Sequence, residues 1–333
     1  MLLTTEAFRR CFDGSTITDC VVRSRHVFYF VAMSDYDTND VPPPDEQRTT
    51  RIIVYFASEP EPDRWKKASF SGFNGLLAGA ALYPKEQFIG VDGDGRVLSM
   101  GSGVSEMERR IPRGRNGPQR GGVRKLRTFD RYTYVSTGYR GLGRREDKDR
   151  WVTLCSTLQF DPDPDVSSDE YGFDDFDAFD VNDIYCVGGK GDVWHFDGRS
   201  FRQLDFPSNM YLESVCCAGD GSVYIGAQNG SIFKGRGDTW RLLHRDNLVL
   251  PFRDMVWYQD RVYCTSDHGL WEIKDDTLRT ASVPEAIKVC SGNLSVADGV
   301  MLLAGAFGAA YHDGSGWTQM FDTMTFTGPS PPP

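Results

Sequence analysis

Residues 181–204 read VNDIYCVGGKGDVWHFDGRSFRQL. Two short apolar runs, 184–187 and 193–196, flank the glycine turn Gly188-Gly189-Lys190-Gly191. A second turn, Asp197-Gly198, leads into a third run at 201–204. Short runs of β-branched and aromatic residues, punctuated by Gly and Asp-Gly, predict strands joined by hairpins. The pattern returns as GSVYIGAQNGSIFKGRGDTWRLL (221–243), DRVYCTSDHGLWEIKDDTLR (260–279) and DGVMLLAGAFGAAYHDGSGWT (298–318). Trp194, Phe233, Trp271 and Tyr311 fall at one repeat position, and Phe201, Trp240, Leu278 and Trp317 at another. The step is about 38–40 residues, the period of a propeller blade.

Each repeat also needs an inner strand before its first turn. Residues 176–181, 212–218, 253–258 and 287–296 supply one each time. Four strands per repeat predict an all-β fold, a single β-propeller whose blades stack radially because no blade buries both faces alone. The expected blades are 17–70, 76–111, 123–156, 176–204, 212–243, 253–281 and 287–320. Seven is the count this length gives. Six or eight stay open, because the first three repeats are irregular. The propeller spans 1–327, and the Pro-rich end 328–333 reads as a mobile tail. Propeller rings are often closed by a blade that mixes both ends of the chain. Residues 8–12 or 320–326 are the expected closing strand.

Two segments break the symmetry. Residues 108–150 are rich in Arg and Lys, and 160–183 are rich in Asp and Glu with no base. They read either as solvated loops that pair with each other or as a charged rim that steers a partner.

The net charge of −10 and pI of about 5.1 argue against nucleic acid or an anionic membrane as partner. No apolar run is long enough to span a membrane, and the N-terminus lacks the pattern of a secretory signal. None of the eight cysteines forms a CxxC pair, so buried thiols in a reducing cytoplasm are expected. There is no GxSxG, HExxH or GxxxxGK[ST]. The turn 188–191 joins two strands, whereas a phosphate cradle needs a helix after it. His195 and His312 share a repeat position, which points to turn geometry. Asp92/Asp94 and Asp161/Asp163/Asp165 are the places where calcium would find several oxygens, although neither completes a known loop pattern. No cofactor is expected otherwise. The residues freest to act lie in the central turns: Tyr139, Arg140, Lys190, Gln228, Asn229, Asp267, His268 and Phe307. In a propeller these turns gather on one face.

At DIYCVGGKGDVWHFDGRSF the chain resembles bacterial propellers of the WD40/YVTN/BNR-like class, whose repeats run roughly vWaVG..G.i.hyDG..W. The likeness is good over the last 150 residues or so and poor before them. It lacks the full Asp-box and a consistent GH…WD pair. The resemblance implies a rigid disc with variable loops. The expected function is therefore a non-enzymatic, protein-binding propeller, monomeric on its own. One version is an immunity protein that neutralises a basic toxin, whose charge an acidic protein would complement. The alternative is a propeller hydrolase or lyase, or a carbohydrate binder, acting at the channel mouth.

Overall fold

The computed structural model describes residues 2–37, 39–160, 170–245 and 251–327. These residues form seven four-stranded antiparallel sheets, each a simple meander of consecutive strands. The inner strands are Ser15–Ser24, Leu77–Ala81, Val123–Phe129, Asp175–Asp180, Leu212–Cys217, Asp254–Tyr258 and Asn293–Ala297. Each touches the inner strand of the next blade, and the seventh touches the first, so the sheets close into a ring. The fold is a seven-bladed β-propeller, as the repeat predicts.

The reason for stacking is visible in the core, which is divided among the blade interfaces. Between blades four and five, Tyr185, Val187 and Val193 meet Leu212, Ile225 and Phe233. Between blades five and six, Cys216 and Ile232 meet Phe252, Met255 and Cys264. Between six and seven, Val256 and Leu270 meet Leu294, Met301 and Leu303. Second strands are buried almost throughout, because both of their faces meet a neighbouring blade. The repeated aromatics serve this packing: Trp240 lies against Phe206 at 5.4 Å, and Trp271 against Phe252 at 5.2 Å. Fully burying one such side chain contributes roughly 1.5–3 kcal/mol.

Ring closure differs from the expectation. Residues 8–12 do not form a strand. Thr5–Cys11 is a helix, its N-terminus capped by the Thr4 hydroxyl, which accepts the Ala7 N–H at 3.2 Å. Residues 320 and 321 belong to the fourth strand of blade seven itself, Trp317–Asp322. Among the described residues no blade mixes the two chain ends. The seam between blades one and seven is instead filled by Phe8, Phe12, Phe30, Trp65 and Phe321. Phe8 also stacks on Phe326, with centroids 4.4 Å apart. A helix wins here because its apolar residues Ala7, Phe8 and Cys11 all face this aromatic cluster.

The described parts of the charged segments are in part regular strand. Much of 108–150 is blade three, and residues 175–180 are the inner strand of blade four. Arg145 and Glu108 form a bidentate pair at 3.0 and 2.6 Å with both side chains buried. The glycine turn of blade four is a hairpin. Gly191 has φ +74, and a Cβ there would sit 2.0 Å from the Ser208 carbonyl oxygen, so no other residue fits.

Candidate functional site: the loop-bearing face and the charged channel

In a meander blade, the turn between the second and third strands opens on the same face as the connection to the next blade. Backbone bonds stitch the two sets of loops together. Tyr139 N–H donates to Tyr171 O at 2.7 Å, Gln228 N–H to Tyr211 O at 2.9 Å, and Gly93 N–H to Asn74 O at 2.7 Å. The described parts of the long, non-repeating connections, 35–37, 39–49, 109–122, 154–160, 170–174 and 281–292, lie on this face. The opposite face is built mostly of tight turns. Several of those turns carry an aspartate, Asp197, Asp220 and Asp313 among them, which accepts backbone N–H groups of its own turn. These aspartates serve turn geometry, and their hydrogen bonds hold the three carboxyls below the usual range despite some burial of Asp220.

The eight residues singled out in the sequence do share the loop-bearing face, but they are not equally free. Arg140 is locked. Its guanidinium grips Asp192 at 2.6 and 3.0 Å and lies over the rings of Tyr171 and Trp194, 4.8 and 4.9 Å from their centroids. Asn229 holds a left-handed turn with φ 60, and Tyr139 does the same with φ 54. The Gln228 side-chain oxygen Oε1 accepts the Tyr211 N–H at 3.1 Å. Lys190 reaches Glu170 at 3.1 Å. Asp267 pairs with Arg253 at 2.6 Å. Asp267, His268 and Phe307 come together, lining one cavity of about 550 Å³ with Trp271, Asp322 and Met324. The face also exposes Tyr36, Val41, Tyr171, Tyr211, Phe307 and Met324, a majority of the large exposed apolar side chains described. Two lining residues were not legible in the sequence: Asp322, the last residue of the fourth strand of blade seven, and Met324, which follows that strand.

The charged lining of the channel was not legible in the sequence. The channel wall encloses about 310 Å³ and carries Lys125, Arg127, Asp19, Asp177 and Asp254, with Asp175 behind. Arg127 grips Asp175 through Nε and an Nη at 2.9 and 2.7 Å. Lys125 Nζ reaches Asp254 at 3.0 Å. The aspartates also tie three of the inner strands to the next one along. Asp19 accepts the Ala78 N–H at 2.7 Å, Asp175 that of Val215 at 2.9 Å, Asp177 that of Cys217 at 2.7 Å, and Asp254 that of Leu294 at 3.1 Å. Inner strands splay around a ring and cannot pair with each other, so side chains satisfy these N–H groups. The basic segment thus meets the acidic one at Arg127–Asp175, and again where Arg124 approaches Asp174 at 3.6 Å.

Burial pushes the carboxyls of Asp19 and Asp177 up to about 6, against the pull of Lys125 and Arg127 respectively. A folded-state pKa raised from 3.8 means that the fold binds the extra proton between about pH 4 and 6. Stability from these groups is therefore present at low pH and lost as pH rises through 6. Asp177→Asn keeps an acceptor for Cys217 and removes the charge. Because Asp177 still meets channel water, we expect a gain of about 1–2 kcal/mol at pH 8 and a flatter stability profile between pH 4 and 6. Guanidinium denaturation at pH 5 and 8 checks this; a variant weaker at both would contradict it.

The other candidate groups have local duties. The Asp92 carboxylate accepts the N–H groups of Asp94, Arg96 and Asn74 and meets Arg96 at 3.3 Å, so it organises its own turn. Asp161, Asp163 and Asp165 lie outside the described residues, as does the tail 328–333. No group of three or more metal-ligating side chains is found among the described residues. His195 Nε2 meets Asp183 at 2.8 Å. His312 Nδ1 accepts the Gly314 N–H at 3.0 Å, and burial lowers its pKa. All eight cysteines are free thiols, seven of them buried. Burial pushes the Cys186, Cys216 and Cys217 thiols well up, the opposite of an activated nucleophile. No helix is long and apolar enough to cross a membrane among the described residues.

This is a seven-bladed propeller with one loop-rich, partly apolar face and a charged, tied channel. No family model matches the chain. It is similar to the immune protein Tsi7 of Pseudomonas aeruginosa, 29% identical over 238 residues, which cover 71% of this chain and 76% of that protein. Among solved structures it is similar to YCF48 from Cyanidioschyzon merolae, with TM-score 0.57 and 9% identity, covering 90% of this chain and 95% of the other. It is likewise similar to Sqt1 of Saccharomyces cerevisiae, with TM-score 0.55 and 10% identity, covering 88% and 94%. Likeness at this identity concerns the fold.

Proposed function

We propose that the protein is an immunity protein, which binds a cognate toxin and neutralises it without chemistry of its own. The observation that carries this reading is the similarity to Tsi7 over most of both chains. Two features support it. The disc gathers its long loops and exposed aromatics on one face, the composition of a protein-binding surface. The titratable groups of the channel and the buried thiols are engaged in holding strands or packed in cores. The toxin is a basic protein, in keeping with the net charge of −10. Binding takes place in the cytoplasm, where free buried thiols persist, and the unbound protein is a monomer. Tyr139, Lys190, Gln228, Asp267, His268 and Phe307 make contacts, while Arg140 and Asn229 hold the turns that present them.

The test is co-expression with the open reading frame that neighbours its gene. We expect restored growth of the host, a stoichiometric complex by size exclusion, and no product from any substrate panel. Growth unaffected by the protein, with turnover of a glycan or other small substrate, would favour the enzymatic alternative.

A further inference from the structure

The sevenfold repeat would leave only short turns at the border of blades six and seven. Two non-repeating pieces depart from it. The short helix Glu285–Lys288 lies in the connection 281–292, and Met324–Thr327 follows the last strand. Together with the central turns of both blades they wall the cavity of about 550 Å³. That volume is in the range of pockets that bind a discrete group.

Its chemistry is specific. Trp271 and Phe307 supply aromatic surface, and Phe307 is 45% exposed. Met324, 63% exposed, forms part of the rim. Glu285 is matched by Lys288 at 3.4 Å, and Asp267 by Arg253 at 2.6 Å. The Asp322 carboxylate accepts the Met324 N–H at 2.8 Å and, among the described residues, has no cation beside it. The cavity therefore keeps an excess negative charge next to aromatic rings. A planar guanidinium satisfies both at once, stacking on the rings and donating to the carboxylate. A lysine would give up the stacking, and a neutral side chain the charge.

We infer that this cavity receives an arginine side chain from the partner protein and is the anchor point of the loop-bearing face. This rests on the reading of the protein as one that binds a basic toxin. It goes further in naming the pocket and the group that fills it.

The test has two arms. In the first, the full chain is titrated with N-acetyl-arginine amide and with its neutral isostere N-acetyl-citrulline amide, while the indole N–H resonance of Trp271 is followed. That resonance is assigned by Trp271→Phe. We expect a saturable shift with the arginine compound and at least a five-fold weaker one with citrulline. Phe307→Ala and Asp322→Asn, both surface changes, should each weaken the arginine response about five-fold or more. Equal responses to the two compounds, or none, would overturn the inference. In the second arm the same variants are assayed for protection of a host expressing the neighbouring toxin gene. Loss of protection in Phe307→Ala and Asp322→Asn, with wild-type thermal stability, supports the anchor. Full protection by both overturns it and leaves immunity standing. If the wild type itself fails to protect, the immunity reading falls, and the first arm still decides the pocket.

Discussion

Replacing Arg127 with methionine should destabilise the propeller by about 3–5 kcal/mol at pH 7–8. The guanidinium is the shared counter-ion of the channel. It holds Asp175 through two bonds, stands 3.6 Å from Asp254, and acts on Asp177 through space. Desolvation opposes its charge, yet these carboxylates hold its pKa well above the ordinary arginine value. Methionine fills a similar volume, so the loss is electrostatic and not a cavity. It leaves Asp175 buried and uncompensated, with Lys125 already committed to Asp254.

The pH dependence distinguishes this from simple loss of packing. Asp177 already titrates near 6 with Arg127 in place. Without it the Asp177 carboxyl moves higher still, and the proton excess of the fold extends to higher pH. The variant should therefore be weakest in alkali and recover on acidification towards pH 5. Adding Asp175→Asn should restore part of the loss. The amide keeps one acceptor for the Val215 or Phe176 N–H and removes the orphaned charge. Denaturation midpoints of the single and double variants at pH 5, 7 and 8 supply the cycle. A loss independent of pH, or no rescue by Asp175→Asn, would show that the pair contributes by packing.

The channel also shows what the sequence could and could not reveal. Repeat positions were legible because hairpin turns need Gly, Asn or Asp at fixed places, and because one aromatic per blade fills each interface. Trp194, Phe233, Trp271 and Tyr311 sit in third strands as their spacing implied. The inner strands hide their signal. Arg127 and Asp175 look like members of a basic run and an acidic run, and only closure of the ring turns both runs towards one axis. A usable trace did exist. Asp175 and Asp254 each begin an inner strand, and each binds the N–H found 40 residues later, about one blade on. The candidate site was legible as a set of turns but not as a pocket. His268 and Phe307 belong to the repeat, whereas Asp322 lies past the expected end of the last blade and Met324 comes from a segment with no counterpart against which to align it. The helix Thr5–Cys11 does carry a sequence signal, a Thr before Thr-Glu-Ala.

That helix makes the seam the place where a single apolar truncation should cost most. Phe12 closes the helix and is almost completely buried. Its ring lies 6.0 Å from Phe30 and 5.6 Å from Trp65 of blade one, and 4.5 Å from Phe321 of blade seven. It therefore bridges the two blades that a shared strand would otherwise join. Among the described residues, polar links across the seam include Leu2 N–H to Met320 O at 2.8 Å, Val22 N–H to the Ser295 hydroxyl at 2.9 Å, Arg25 N–H to Asp298 at 2.9 Å, and the weak Cys20 thiol to Asn293 O at 3.9 Å. Phe12→Ala should cost about 3–5 kcal/mol, and Phe12→Leu about 1–2 kcal/mol, because leucine refills part of the space. Opening at the seam should also free the helix, so limited proteolysis of Phe12→Ala should cut within residues 2–14 before any blade is attacked. Denaturation midpoints and the order of cleavage measure both effects. A loss below about 1 kcal/mol, or first cleavage between other blades, would mean that the backbone links carry the closure and that the aromatic cluster merely fills it.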